Sequence, residues 1–215
     1  MKRSAGVLMP ISSLPSKYGI GTLGKGARDF IDFLEKSGQT YWQVLPIGPT
    51  GYGDSPYQSF SSNAGNPYFI DLDDLCDEGY LEKEEYVNEN YGTDVNCVDY
   101  AQIYNTRFTV LRKAVERLSA VQPEDYLSFL RDNAYWLNDY ALFMAEKDDH
   151  KGQAYTTWEE DIRKHDTKTL ENERVRLQKN VEFYLGLQYF FFHQWKKMRE
   201  YGRKHGVYLI GDVPI

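Results

Sequence analysis

The residues best suited to chemistry in this chain stand in one stretch, residues 48–72, which reads GPTGYGDSPYQSFSSNAGNPYFIDL. Its glycines, prolines and asparagines favour fixed turns, and its tyrosines and phenylalanines supply flat apolar rings. Because disordered loops are poor in aromatic residues, this composition predicts a loop held in one shape. Hydroxyls, amides, the acid Asp54 and flat rings together suit a carbohydrate, whose sugar rings have CH-rich faces and hydroxyl rims. The alternative is a well-packed Ω-loop that binds no ligand.

A second candidate acid, Asp212, stands directly after Gly211 and a short apolar run. If that run, Val207–Ile210, is a parallel strand, Asp212 lies at its carboxyl end, where α/β proteins bind ligands. Tyr57 and Asp54 follow an earlier predicted strand and would lie at the same end of the sheet. We therefore predict that the two segments converge on one cleft. The alternative is that Asp212 only accepts hydrogen bonds from backbone N–H groups in its own loop.

The elements that would position these residues begin with a strand–helix–strand unit. Ala5–Ile11 and Tyr41–Leu45 are apolar runs flanked by turn residues, as is typical of buried strands. Between them, Ala27–Lys36 has the apolar spacing of an amphipathic helix, with Gly38 at its C-terminal end. A crossover of this length makes the two strands parallel, so the sequence predicts an α/β fold.

From about residue 73 to residue 203 the pattern changes to helical periodicity with almost no strand signal. Apolar residues recur at three- and four-residue steps over Tyr100–Leu118, and Pro123 opens a second helix. A further pattern predicts one long helix over Lys168–Tyr201. These stripes are typical of helix faces that pack into a core. The chain therefore reads as strand, helix, strand, a helical excursion and a third strand.

The amino-acid composition limits the classes of partner that the protein is expected to bind. The 215 residues are 41% hydrophobic and 15% aromatic, which is enough for one large domain or two small ones. A net charge of −7 and a pI near 5.2 predict no nucleic-acid partner and no anionic membrane surface. No segment has the length of a membrane span, and the apolar run before Pro10 is too short for a signal peptide. Two cysteines, Cys76 and Cys97, fit a reducing cytosol, so we predict a cytoplasmic protein.

Neither of the two patterns that suggest a cofactor or metal is convincing. Gly19–Gly24 matches the dinucleotide pattern GxGxxG, but that mechanism needs its first glycine in the turn directly after a strand. Here Ser12–Tyr18, which contains Pro15, intervenes. The four histidines lack a spacing with cysteines or carboxylates that indicates zinc. We therefore predict no cofactor and no metal.

Several longer motifs occur together in this chain. They are SSLP at 12–15, YGIG at 18–21, YWQVLP at 41–46, the whole of 48–72, VDY at 98–100 and IGDVPI at 210–215. This set closely resembles the 4-α-glucanotransferases, which are also called amylomaltases or disproportionating enzymes. The resemblance extends over essentially the whole chain.

The resemblance implies the N-terminal part of a (β/α)8 TIM barrel with a large helical insertion after the second strand. Residues 1–75 would hold the first barrel strands and the glucan-binding loop, 76–203 the insertion subdomain, and 204–215 the third strand. The implied reaction transfers α-1,4-glucan segments between maltodextrins, and the implied partner is therefore a maltooligosaccharide.

The resemblance also implies roles for individual residues. Tyr57 would stack on a sugar next to the cleavage point, and Asp212 would bind hydroxyls of the transferred sugar. Asp54 and Ser55 would shape that pocket. A second, remote glucan groove would include two further tyrosines, Tyr52 and Tyr100.

The implied chemistry is a retaining double displacement, in which one carboxylate attacks the anomeric carbon and a carboxylic acid protonates the leaving oxygen. The family carries these groups on later barrel strands, in motifs such as Arg-Ile-Asp-His-Phe, and no such motif occurs in these 215 residues. We therefore assign no catalytic residue and expect the N-terminal portion of a longer enzyme, inactive alone. The alternatives are a non-catalytic glucan-binding module and, less favoured by the loop motif, an α-amylase-like hydrolase.

Overall fold

The computed structural model describes residues 3–51, 53–94 and 96–213, and a small parallel sheet organises its first part. The strands are β1 (Gly6–Leu8), β2 (Tyr41–Gln43) and β3 (Tyr208–Ile210). They pair in the order β1-β2-β3, and both pairs are parallel. The predicted parallel arrangement is confirmed, although each strand is shorter than the apolar run that predicted it.

One face of the sheet packs against the helix α1 (Lys25–Lys36). Trp42, at the centre of β2, is fully buried, and its ring centroid lies 5.0 Å from that of Phe30 on α1. The indole nitrogen of Trp42 donates to the carbonyl oxygen of Met9 at 2.8 Å. Because the ring is both packed and hydrogen-bonded, Trp42 fixes the distance between the sheet and the helix.

The helix α1 follows the predicted amphipathic pattern. Its buried side chains recur at four- and three-residue steps, at Ala27, Ile31 and Leu34. The helix begins two residues before the predicted start and ends at the predicted residue, Lys36. Gly38 then takes a φ of +69°, a left-handed conformation that favours glycine and reverses the chain towards β2.

The opposite face of the sheet carries apolar side chains that are exposed. Leu8 and Ile210 lie in one row of the register with Gln43 between them, and they are 53% and 43% exposed. Tyr208, two residues before Ile210, is also exposed. All-parallel sheets are normally covered on both faces. In the part of the chain that the structure describes, this sheet departs from that rule, because its second face is open to solvent.

The chain divides into two compact units, which are Met1–Ala114 with Phe190–Ile215, and Val115–Tyr189. No strand occurs among the described residues between 73 and 203, as predicted. The helices of this region are α2 (Leu72–Asp77), α3 (Tyr100–Val121), α4 (Glu124–Asp149), α5 (Glu160–Arg163), α6 (Thr167–Arg176) and α7 (Gln178–Lys204).

The predicted starts of two helices are confirmed, whereas one predicted helix is wrong. α3 begins at Tyr100, and α4 begins after Pro123, which is its N-cap residue. The single helix predicted over Lys168–Tyr201 is two helices, because Leu177 leaves the helical conformation with a φ of −100° and a ψ of +16°. Leu177 is buried and is neither glycine nor proline. The apolar stripe therefore continues through the break, and the sequence pattern does not reveal that the helix ends there.

Within the second compact unit, two phenolic hydroxyls connect α4 and α7. The Tyr189 hydroxyl donates to Asp125 at 2.7 Å near the start of α4, and the Tyr184 hydroxyl donates to Asp148 at 2.6 Å near its end. These bonds involve charged acceptors, which makes them stronger than neutral hydrogen bonds. They hold the two long helices of this unit in one register.

Candidate functional site

Tyr57 and Asp212 are in direct contact although 155 residues separate them in the sequence. The Tyr57 hydroxyl donates to Oδ2 of Asp212 at 2.7 Å. Tyr57 lies in the loop that follows β2, and Asp212 follows β3, so the bond joins the segments after two neighbouring parallel strands. This is the proximity that the sequence predicts. The roles of the two residues in binding stay predictions.

The electrostatics of this pair keep the phenol protonated. The hydrogen bond to the Asp212 carboxylate raises the pKa of Tyr57 above its usual value, because ionised tyrosine cannot donate. The other carboxylate oxygen of Asp212, Oδ1, accepts the N–H of Val213 at 2.9 Å. The alternative expected for Asp212, a bond to its own loop, therefore occurs beside the bond to Tyr57. The Tyr57 side chain remains 45% exposed, so a ligand can reach its ring.

A pair of left-handed residues shapes the turn that carries Tyr57. Gly53 and Asp54 have φ values of +99° and +55°, and the latter is uncommon for a residue other than glycine. The Ser55 carbonyl accepts the N–H of Gln58 at 3.1 Å, and Oγ of Ser55 accepts the N–H of Tyr57 at 3.3 Å. Ser55 thus supports the conformation of the turn through its own hydrogen bonds.

Asp54 and Tyr100 line one small cavity of about 30 Å³. The hydroxyl of Thr50, another lining residue, is buried without a hydrogen-bond partner. A cavity of this size holds a water molecule but no sugar ring. Burial raises the pKa of Asp54, and burial together with the Asp54 charge raises the pKa of Tyr100. The ring of Tyr100 packs edge-on against Tyr68, with centroids 6.0 Å apart.

The end of the 48–72 loop is held by a glutamine of α7. The side-chain amide of Gln194 accepts the backbone N–H of Asp71 at 2.7 Å and donates to the Asp71 carbonyl at 3.0 Å. The Asp71 carboxylate accepts the Thr22 hydroxyl and the N–H of Asp74, where it caps α2. Gln194 is buried, so these bonds form away from competing water. This amide pairing fixes where the loop ends.

A buried arginine of α3 ties the same loop to the loop that follows β1. The guanidinium of Arg107 donates to the carbonyl oxygens of Tyr18 and Ile70. Arg107 is fully buried, and burial lowers its pKa to about 10. Its Nε has no hydrogen-bond partner. The loop after β1 and the loop after β2 are therefore connected through one cation.

The structure thus brings the predicted site residues together in two groups. Tyr57 contacts Asp212, with Ser55 supporting its turn, and Asp54 shares a cavity with Tyr100. Tyr52, predicted for a second groove, lies outside the described residues.

Sequence reasoning missed two residues that position the loop, Arg107 and Gln194. Each had a detectable signal, because each is a polar residue on an otherwise apolar helix face. Arg107 stands four residues after Ile103 and four before Leu111, and Gln194 stands four before Met198.

A parallel sheet with an aromatic ring and a carboxylate joined at its carboxyl edge defines a mixed α/β protein with its candidate site where this class binds ligands. A family model described as 4-alpha-glucanotransferase matches residues 9–215. The chain therefore belongs to the 4-α-glucanotransferase family, as its motifs predict.

Relatives that are named 4-alpha-glucanotransferase agree with the family match. A 4-alpha-glucanotransferase of Clostridium butyricum is 46% identical over 207 residues, which are 96% of this chain and 42% of the relative. That of Thermus thermophilus is 42% identical over 219 residues, which cover all of this chain and 43% of the relative. The chain spans less than half the length of the curated relatives it matches.

Solved structures match the fold over 99% of the chain. An amylomaltase from Streptococcus agalactiae in complex with acarbose superposes with a TM-score of 0.94 at 40% identity, covering 99% of this chain and 43% of that one. An amylomaltase from Corynebacterium glutamicum, at 18% identity, gives a TM-score of 0.72 and supports the fold alone. Three parallel strands with many helices therefore match the N-terminal part of an amylomaltase.

Among the described helices, none combines the length and the apolar character that crossing a membrane requires. Relatives of this chain include bacterial proteins and a chloroplastic or amyloplastic form from Solanum tuberosum.

Proposed function

We propose that this chain is the N-terminal portion of a cytoplasmic 4-α-glucanotransferase that transfers α-1,4-glucan segments between maltodextrins. The observation that carries the proposal is the hydrogen bond between Tyr57 and Asp212. An aromatic ring in contact with a carboxylate that can accept hydrogen bonds from hydroxyl groups suits a single glucosyl unit. A sugar ring has both an apolar face and hydroxyl groups. The family membership of the chain and its 40% identity to an amylomaltase structure that holds acarbose support the same substrate class.

In this proposal the two residues have different tasks. Tyr57 stacks on a sugar beside the cleavage point, because its ring is exposed while its hydroxyl is anchored. Asp212 binds hydroxyls of the transferred sugar, which replace or join the phenol as donors to its carboxylate. Asp54 and Ser55 shape the pocket through the turn that they form, and Tyr52 and Tyr100 belong to a second glucan groove.

The proposed architecture is the beginning of a (β/α)8 barrel. Residues 1–75 and 204–215 would supply the first three barrel strands, and residues 76–203 would form the helical insertion. The exposed row of Leu8 and Ile210 supports this, because the interior face of a barrel strand is covered only when the barrel is complete. The retaining mechanism needs two carboxyl groups about 5–5.5 Å apart, and we place both of them in sequence outside these 215 residues.

A test compares this chain with a form that extends beyond Ile215. Incubated with maltotriose, the longer protein should yield glucose together with longer oligomers, and the 215-residue chain should yield neither. Hydrolysis products without chain lengthening from the longer protein would contradict a transferase, because transfer requires a sugar acceptor to reach the intermediate before water.

A second candidate function is glucan binding without turnover. It is favoured by the Tyr57–Asp212 contact, which is formed in this chain although the chain spans only 42% of the Clostridium butyricum relative and 43% of the Thermus thermophilus relative. Calorimetric titration of the 215-residue chain with maltotetraose tests this second candidate. Binding of maltotetraose without any product would show that the chain can bind glucans on its own. Absence of binding would contradict the proposal of a glucan-binding module.

A further inference from the structure

A hydroxyl group is buried without a partner beneath the loop that carries Tyr57. Oγ1 of Thr50 makes no hydrogen bond to any described residue. Thr50 stands at the base of this loop, where it forms an isolated antiparallel bridge with Ser59. Tyr57 therefore lies within the segment that this bridge closes. A buried hydroxyl that is left unpaired costs free energy, so such a group commonly marks a bound water or another polar partner.

A carboxylate shares the cavity that Thr50 lines. Asp54 and Thr50 both border the space of about 30 Å³ described above. Pro10 and Pro46, which stand shortly after β1 and β2, border it as well, so the cavity lies between the loop and the carboxyl edge of the sheet. Burial raises the pKa of Asp54, and no donor or cation among the described residues offsets this rise. A hydroxyl and a carboxylate therefore meet one small space without protein partners.

The cavity has the size and the polarity of an internal water site. A water needs about 10–15 Å³ of accessible space and two to four polar partners. Ser12 and Asn66 add a hydroxyl and an amide to the lining. The amide oxygen of Asn66 accepts the N–H of Tyr68 at 3.0 Å, so its NH2 group is the part that it can offer to the cavity. A water there can accept the Thr50 hydroxyl and donate to the Asp54 carboxylate.

The turn between Thr50 and Tyr57 has an uncommon backbone conformation at Asp54. Its φ of +55° lies in the left-handed region, which favours glycine. One backbone bond supports the turn, from the N–H of Asp54 to the Gly51 carbonyl at 3.1 Å. Tyr57 follows three residues later, and its hydroxyl reaches Asp212. A bridge from Asp54 to Thr50 would tie the tip of the turn to its base and thereby fix the position of Tyr57.

We propose that one water molecule bridges Thr50 and Asp54, and that these two act through it as positioning residues for Tyr57. The positioning role rests on the proposed function, in which Tyr57 stacks on a sugar. The water supplies the missing partner of Thr50 and gives the Asp54 carboxylate a donor. Asp54 is the single acid among the described residues that line the cavity, so a divalent cation lacks the ligands that it needs there.

The first experiment measures stability and internal water in the 215-residue chain. Thr50→Val replaces the hydroxyl by a methyl group of similar size. Loss of a bridged hydroxyl should lower Tm by about 2–4 °C, and oxygen-17 relaxation dispersion of the solvent should count one internal water fewer than in the parent. Thr50→Ser keeps the hydroxyl and should keep the water. Thr93→Val, in an exposed loop, is the matched control and should leave Tm and the water count unchanged.

The second experiment asks whether the two side chains hold the same water. Asp54→Gly removes the carboxylate at a position where glycine adopts the left-handed backbone without strain. The combined variant should lose less in Tm than the sum of the losses in Thr50→Val and Asp54→Gly.

A third measurement follows Tyr57 itself in Thr50→Val. The pKa of Tyr57, measured by carbon-13 NMR of the phenol, should fall towards its ordinary value, because the bond to Asp212 that raises it is weakened. The affinity for maltotetraose should fall about threefold. A merely structural role of Thr50 elsewhere in the loop would not change the pKa of Tyr57.

Four results would overturn the inference. Thr50→Val raises Tm without loss of an internal water, which would mean that the cavity is dry. Thr50→Ser loses the water as Thr50→Val does. NaCl raises the Tm of the parent but not of Thr50→Val, whereas tetramethylammonium chloride raises neither, which would identify a cation in place of the water. The pKa of Tyr57 and the glucan affinity both stay unchanged in Thr50→Val. If the parent itself binds no maltotetraose, the proposed function fails, while Tm, the water count and the pKa of Tyr57 still decide this inference.

Discussion

The 48–72 loop and the helices of the second compact unit are held together by different means. The loop depends on bonds between distant residues, because Gln194 reaches Asp71 across 123 positions and Tyr57 reaches Asp212 across 155. In the second unit, Tyr184 reaches Asp148 across 36 positions and Tyr189 reaches Asp125 across 64, so the bonds between its long helices span fewer positions. An irregular loop needs partners from elsewhere to keep one shape, whereas long helices carry their own backbone hydrogen bonds.

The polar groups around Tyr57 and Asp212 are themselves held by defined hydrogen bonds. A site whose side chains are already fixed in this way is prepared for a neutral ligand such as a sugar.

The largest effect is expected from Arg107→Met. The change leaves the buried carbonyl groups of Tyr18 and Ile70 without donors, which should lower the free energy of unfolding by about 3 kcal/mol. Urea unfolding measures this. Arg199→Met, at an exposed position of α7, is the control and should change it by less than about 0.5 kcal/mol. Equal effects of the two substitutions would mean that Arg107 does not hold the loop.

Gln194→Leu should have the next largest effect. It removes both bonds to the Asp71 backbone at nearly constant volume, at a cost of about 2 kcal/mol in the free energy of unfolding. The same unfolding experiment applies, with Gln178→Leu at the exposed start of α7 as the matched control. A stable Gln194→Leu variant with unchanged glucan affinity would show that the loop keeps its shape without this amide.

Tyr57→Ala tests the stacking ring. Loss of the ring should weaken binding of maltotetraose about tenfold, equivalent to about 1.4 kcal/mol, and Tyr57→Phe should weaken it only a few-fold because the ring remains. Calorimetric titration gives both affinities. Tyr135→Ala removes a ring that is 79% exposed in the second unit and should leave the affinity unchanged. The outcome that contradicts stacking is an unchanged affinity in Tyr57→Ala.

The smallest effect concerns pH. Burial raises the pKa of Glu78, but hydrogen bonds from His193 and Lys197 outweigh burial and bring the pKa below its usual 4.5. The folded pKa is depressed, so the contribution to stability is present above pH 4.5 and is lost as pH falls through the folded pKa. Glu78→Gln should reduce the free energy of unfolding by about 0.5 kcal/mol at pH 7 and by nothing in acid. Urea unfolding at pH 7 and at low pH measures this, with Glu200→Gln at an exposed position of α7 as the matched control.

The sequence predicts the regular elements well and the loop contacts only in outline. The three parallel strands, α1 and the starts of α3 and α4 follow from apolar spacing and from the turn residues at their ends. The sequence did not predict the break between α6 and α7 at Leu177, because no glycine or proline marks it. The sequence did not predict that Arg107 and Gln194 position the loop. Their partners are backbone groups 37 to 123 positions away, and local patterns contain no information on such pairs.

The predicted proximity of Tyr57 and Asp212 rests on topology, whereas their roles in binding stay predictions. Parallel strands bring their carboxyl ends to one edge, so the segments of Tyr57 and Asp212 were expected at the same edge if both strands were assigned correctly. The hydrogen bond itself, and the left-handed turn at Asp54 that directs Tyr57 towards it, depend on side-chain and backbone detail that spacing does not encode.

The most direct test of a single sugar site is a double-mutant cycle on the 215-residue chain with Tyr57→Phe, Asp212→Asn and the combined variant. Maltotetraose affinity is measured by calorimetry for all four proteins. If the two side chains act on one glucosyl unit, their effects should be coupled by at least about 1 kcal/mol. Additive effects, or an affinity that neither substitution changes, would contradict the account.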